Sequence, residues 1–232
     1  MMEVCTLLVR LDGPMQAWGT DSRFSIRETR REPTKSGVVG LVAAAMGRER
    51  SSSIDDISSL SFGVRVDREG RLLRDFHTAG KDGFYRASGS VERRNVIVSE
   101  RFYLADACFT VGLQAHHAEE RALLESIEVA LRHPVWPLYL GRRAFPLAAH
   151  PALGKVELPL LEALRSAPSP PPDHRGRRRH DTGLQRYVLD ADAVEVPEAR
   201  RVFAGADMPL SFLSNGRRYA TRETVTLRFP AT

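Results

Sequence analysis

The sequence predicts an α+β fold: a βαββαβ domain of ferredoxin-like (RRM-like) type, carrying a long insertion and followed by a β-rich extension. Three observations predict it. Alternating strand-like runs at Phe62 to Asp67 and Ala107 to Ala115 are interspersed with two segments of helical spacing, Ser36 to Met46 and Ala118 to Leu131. The order along the chain is strand, helix, strand, a long excursion, strand, helix and then further extended segments. Finally, 232 residues with 42% hydrophobic content can bury a full core, which a disordered chain could not.

The elements follow in order. Val4 to Leu11 reads as a buried strand, and it ends on a glycine-flanked turn, Gly13-Pro14-Met15-Gln16-Ala17-Trp18-Gly19, where backbone amides are free. The first helix has Ser36 as its expected N-cap and Gly47 as its stop; Gly37, Gly40 and the run Ala43-Ala44-Ala45 leave one side nearly bare for packing on a sheet. Phe62 to Asp67 alternates as a strand, and Leu72 to His77 is expected to pair with it across Arg68-Glu69-Gly70-Arg71. The excursion occupies about 79–104. The second helix is amphipathic through Leu123, Leu124, Ile127 and Leu131, with Glu119 and Glu120 in its first turn and Arg132 and His133 at its end, where each charge suits the helix dipole. A loop from His133 to Pro151 follows, and Lys155 to Leu158 is the candidate last strand of a domain spanning 1–159.

Residues 160–183 read as a flexible linker, with Pro168 and Pro170 to Pro172 followed by Arg175, Arg177, Arg178 and Arg179 and no apolar periodicity. Gln185 to Asp190 and Thr224 to Phe229 are the strands of an extension over 184–232.

Composition narrows function. A formal net charge of +5 makes an acidic partner plausible, and nucleic acid ranks ahead of anionic membrane because no basic amphipathic helix occurs. Cys5 and Cys108 sit in strand-like runs and read as reduced, buried small hydrophobes. No apolar run approaches the roughly 20 residues a membrane span requires, and the N-terminal apolar run is broken by Arg10 and Asp12, so a cytoplasmic protein is expected. No phosphate-binding Gly-x-x-x-x-Gly-Lys-Ser/Thr loop, His-Glu-x-x-His pair or Cys-x-x-Cys pair occurs, and no cofactor or metal is expected. The adjacent His116 and His117 read as a helix cap.

Cations cluster in three places. Arg23, Arg27, Arg30, Arg31 and Lys35, with Ser36, precede and open the first helix, where several charges near one N-terminus suit consecutive phosphates; ion pairs with Glu28 and Glu32 are the structural alternative. In and around the excursion, His77, Lys81, Tyr85, Arg86, Arg93, Arg94 and Arg101 are interleaved with glycines, a composition suited to stacking on unpaired bases and to phosphate contact; a solvated basic hairpin is the alternative. Tyr139, Arg142 and Arg143 offer one ring and two guanidinium groups. Gln16 and Trp18 sit in the first turn, where a tryptophan is as often simply core packing as a contact. His77, Tyr85 and Lys81 also supply the residue types of metal-free RNA cleavage, a base, an acid and a cation.

Two phrases, Gly13 to Gly19 and Pro33-Thr34-Lys35-Ser36-Gly37-Val38-Val39-Gly40-Leu41, resemble the opening of the CasD family, the type I-E branch of the Cas-five RAMP proteins of CRISPR systems. Asp75-Phe76-His77-Thr78, Tyr103 to Val111 and Pro137-Leu138-Tyr139-Leu140-Gly141-Arg142-Arg143 follow in the family's order, so the resemblance covers roughly the first 150 residues and fades beyond Gly154. It implies that the excursion is a projecting thumb set against guide RNA, and that the turn holding Gln16 and Trp18 touches the RNA handle. It also implies a noncatalytic prokaryotic subunit that binds the 5′ handle of the crRNA, caps the backbone filament, and meets the filament subunit CasC and the large subunit CasA. A guide-processing endoribonuclease of the same superfamily and a basic protein-interaction module are the alternatives.

Overall fold

The computed structural model describes residues 4–19, 25–80, 82–86, 88–93, 95–172, 183–194, 202–213 and 216–230. Strand β1 (Cys5–Asp12) is followed by two short strands, β2 (Met15–Gln16) and β3 (Ile26–Arg27), and by helices α1 (Lys35–Ala45) and α2 (Asp55–Ser59). Then come β4 (Ser61–Arg68), β5 (Arg71–Ala79), β6 (Phe84–Tyr85), β7 (Val91–Glu92), β8 (Ile97–Ala105) and β9 (Cys108–Ala115). Helix α3 (Ala118–Arg132), β10 (Ala152–Val156), α4 (Leu160–Ser166), β11 (Leu184–Asp190), a 3-10 turn at Ala191–Ala193, β12 (Val202–Ser211) and β13 (Arg218–Pro230) complete the chain.

Both ends of α1 are set by local chemistry. Thr34, in extended conformation, caps the helix by accepting from the Gly37 amide at 3.2 Å, so Thr34 takes the role expected of Ser36, which lies inside the first turn. At the other end Gly47 has φ +70; its N–H donates to Ala44 O (3.1 Å) and that of Arg48 to Ala43 O (2.9 Å), the double bond of a Schellman stop.

One seven-stranded sheet has the order β10-β1-β9-β4-β11-β13-β12, with every neighbouring pair antiparallel. Alternation along β1 assigns its two faces: Leu7, Val9 and Leu11 join the core formed with α1, α2 and α3, while Leu8 joins a second core with Leu160 and Leu164 of α4 and Tyr187, Leu189, Val225 and Leu227. The C-terminal strands therefore extend the N-terminal sheet, β11 pairing with β4 through Arg186↔Val66. The expected last strand of the first domain, Lys155 to Leu158, begins three residues earlier and ends two earlier, as β10.

Two expectations are corrected. The strand after β4 does not double back on it: Gly70 (φ +68) and Asp106 (φ 58) bend a long ribbon at matching points, so β4 pairs with β9 and β5 with β8, from Arg71↔Ala105 to Ala79↔Ile97. A Cβ at Gly70 would lie 2.7 Å from Ala105 O, which ties that bend to glycine. Nor is the segment from residue 160 a free linker as far as it is described. Residues 160–166 form α4, and guanidinium groups pin the chain after it: Arg65 donates to the carbonyls of Leu164, Ala167 and Pro168, and Arg68 to that of Pro171. Carbonyl acceptors, not apolar contacts, hold this proline-rich stretch, which is why apolar periodicity gave no sign of it. Arg175, Arg177, Arg178 and Arg179 lie outside the described residues.

Candidate nucleic-acid interface

The ribbon beyond Gly70 and Asp106 exposes one sheet face on which Leu73, Asp75 and His77 of β5 stand beside Tyr103, Arg101 and Ser99 of β8. On the other edge of β8 lies β3, parallel to it, with Arg27 opposite Arg101. A third piece arrives from far along the chain. The loop 139–146 is closed by a bridge between Tyr139 and Pro146 and turned by Gly141 (φ +84), where a Cβ would lie 1.8 Å from Ala17 O. That turn lays Arg142 over the Tyr103 ring, 4.6 Å from its centroid, while Phe145 meets the ring edge-on at 5.0 Å.

Arg142, Arg101 and Arg27 thus converge at the base of the ribbon. Arg142 Nη2 donates to Arg27 O at 3.3 Å, while its Nη1 is buried without a hydrogen-bond partner. Burial pushes the Arg142 pKa down; the charges of Arg101 and Arg27 push the same way, and Tyr103 opposes them. Among the described residues no carboxylate pairs with any of these three arginines. Cations held together with no carboxylate paired to them, Asp75 being turned to His77, and one with an unsatisfied donor, form a seat that an anion would neutralise. Beside it His77 Nε2 lies 2.6 Å from Asp75 Oδ2 and 3.3 Å from the Tyr103 hydroxyl.

Other candidates take different places. Lys35 is corrected to an interior position, and Gln16 and Trp18 take the core alternative. Gln16 is fully buried, donating through Nε2 to Leu11 O (3.1 Å) and Ala107 O (2.9 Å) and accepting from Trp18 Nε1 (3.0 Å), so its side chain fixes the turn. The Lys35 ammonium is buried 3.1 Å from Asp190 Oδ2. Arg222 completes that network, bonding Asp207 through Nε and Nη2 and Asp190 through Nη1. Arg30 stacks at 5.1 Å on Phe203, and Ser36 is half-buried; Arg31 and Arg143 are exposed.

At the ribbon tip Tyr85 is 80% exposed, Arg93 is exposed and Arg86 pairs with Glu92. Arg23, Lys81 and Arg94 lie outside the described residues. Tyr103 and Asp75, which organise the cluster, were not singled out from the sequence as site residues. The alternation of β8 put Tyr103 on the face of Arg101, and that spacing was the available signal. Among the described residues no group of three or more His, Cys, Asp or Glu could hold a metal ion. No described helix is long and apolar enough to cross a membrane.

A family model described as CRISPR-associated protein (Cas_Cas5) matches residues 6–225, nearly the whole sheet and ribbon. The chain belongs to this CRISPR-associated family. A relative from Escherichia coli (strain K12), "CRISPR system Cascade subunit CasD", is 41% identical over 158 residues, which are 62% of this chain and 68% of the relative. A solved structure titled "CRISPR RNA-guided surveillance complex" superposes with a TM-score of 0.77 at 36% identity, covering 97% of this chain and 90% of the other. Another, "Crystal structure of Cas protein", gives 0.71 at 37% identity, covering 97% and 95%. The CRISPR-associated family match extends through β11 to within the last strand, so the C-terminal strands belong to the family's fold as much as the ribbon does.

Proposed function

We propose that the chain is a noncatalytic, cytoplasmic subunit of the type I-E surveillance complex Cascade that holds the 5′ handle of the crRNA and caps the backbone filament. The observation that carries this reading is the meeting of Arg27, Arg101 and Arg142 at the ribbon base, without carboxylate partners among the described residues, in a chain of a CRISPR-associated family. Phosphates of the handle would sit among the guanidinium groups, and the ribbon, as the thumb, would set the path of the strand. The strand order β10-β1-β9-β4, with α1 and α3 in the crossovers, supports a ferredoxin-like core under this grip. The partners of this reading are CasC along the filament and CasA beside the handle.

A scaffold role is supported by the spread of the candidate acid and base: His77 lies within β5 beside Asp75, whereas Tyr85 lies out at the ribbon tip. The experiment is filter binding of the purified chain to handle RNA and to scrambled RNA across a salt series, with the same RNAs incubated in EDTA. The reading expects preference for the handle, steep salt dependence and intact RNA. A single specific cut lost on His77→Ala would make the chain an endoribonuclease, and no preference over scrambled RNA would favour a protein-interaction module.

A further inference from the structure

Next to the cation cluster, on the far side of the Tyr139 to Gly141 turn, a cavity of about 520 Å³ opens between α1, the first turn and the β12–β13 end. Its size is that of a small-ligand pocket. Aromatic groups form its walls: Trp136 and Tyr219 are partly exposed and Tyr139 half-buried, with Trp18 behind. Arg50 and Arg217 stand exposed at the rim, where Glu49 is the one acid lining the cavity among the described residues, and neither arginine pairs with a carboxylate there. Flat rings under a cationic rim suit a planar, electron-rich ring attached to a phosphate.

A glycine in the floor points the same way. Gly37 is required by the fold, because a Cβ there would meet the Trp18 ring at 2.8 Å. Gly40 is different: a Cβ would find only Phe212, at 3.9 Å, an ordinary contact. A glycine inside a helix costs roughly 0.5–1 kcal/mol relative to alanine, and among the described residues no neighbour demands it at Gly40. The space above Gly40 is thus open in the folded chain, with Phe212 at its side.

We propose that this cavity is a nucleobase pocket: one unpaired base of the bound RNA inserts among Trp136, Tyr139 and Tyr219 while the adjoining phosphate lies toward Arg142. The inference rests on the RNA-binding reading above and adds a base-reading site to it. Continuity through Tyr139-Leu140-Gly141-Arg142 joins the pocket to the cation cluster, and the cationic rim favours RNA over a protein segment.

The test uses the full chain and synthetic handle RNAs in which each base in turn is replaced by an abasic residue, with 2-aminopurine at the same positions as a fluorescent probe. Wild-type protein is expected to lose about tenfold in affinity at one abasic position and to quench 2-aminopurine there, since base stacking is worth roughly 1–3 kcal/mol. Gly40→Leu is expected to bind base-bearing and abasic RNAs alike at that position, with an unchanged or raised melting temperature; Gly40→Ala should fall between.

If wild type binds handle RNA tightly but is indifferent to every abasic substitution, the pocket is overturned while RNA binding stands. The same holds if Gly40→Leu leaves RNA affinity and base preference untouched but blocks assembly with sister subunits, which would make the cavity a protein-docking site. Failure to bind any handle RNA overturns both readings.

Discussion

Lys35 and Arg101 are both cations of the sequence-predicted interface, and they answer to different physics. Lys35 is sealed beside Asp190 with Arg222 and Asp207, so Lys35→Met leaves a buried network one positive charge short. Breaking such a network costs about 3–5 kcal/mol, and the lower end is expected because Arg222 still holds Asp190. Urea melts should show the loss. Arg101 is half-buried on the ribbon and, among the described residues, bonds only Ser99. Arg101→Glu should weaken handle RNA at least tenfold and flatten the log–log salt slope by about 0.7 for each phosphate no longer neutralised, with no change in melting temperature. A melting loss in step with the binding loss would make Arg101 structural.

The cysteines obey burial too. Burial raises both thiol pKa values, with acidic neighbours adding to the effect, so each stays a neutral thiol. A thiol-specific dye should label neither Cys5 nor Cys108 in the folded chain, and both after denaturation.

At the scale of elements, the cluster depends on a ribbon and a loop. Replacing the tip between Ala79 and Ile97 with a tight turn keeps the β5–β8 register and the main core. Such a variant should melt like wild type and bind RNA more weakly. Gly141→Ala tests the loop. Its Cβ would collide with Ala17 O at a positive φ, so Arg142 should shift off Tyr103, lowering RNA affinity and melting temperature together.

These elements also mark where the sequence could be read. Strands β1, β4 and β9 and helices α1 and α3 carry local periodicity, and their bounds fall within about two residues of expectation. The pairing of β5 was not local: whether Gly70 reverses the chain or bends it depends on a second bend at Asp106, far along the sequence. Capping by Thr34 in place of Ser36 was a matter of which hydroxyl reaches Gly37.

In the whole molecule, the C-terminal strands are structural partners of the first domain. β11 covers the edge of β4, and Asp190 at its end anchors Lys35 at the start of α1. A chain ending at residue 183 loses both, and should melt without a cooperative transition in calorimetry; a sharp transition near that of the full chain would show the extension to be dispensable. Its attachment was hidden in the sequence because an antiparallel strand pairs across any distance. The site was hidden likewise. Arg27, Arg101, Arg142 and His77 each stood out as a residue type, but their convergence required β3, β8 and the loop at Gly141 to meet. Lys35 misled, and the turn holding Gln16 stayed open between two readings, because polarity in a sequence does not reveal burial.

The central claim is that the base of the ribbon holds the leading end of the guide. Photocrosslinking tests it most directly: crRNA with 4-thiouridine placed through its 5′ handle, irradiated in the assembled complex, with adducts mapped by mass spectrometry. Adducts concentrated at 97–105 and 139–143 of this chain are expected. Handle adducts confined to other subunits would contradict the account.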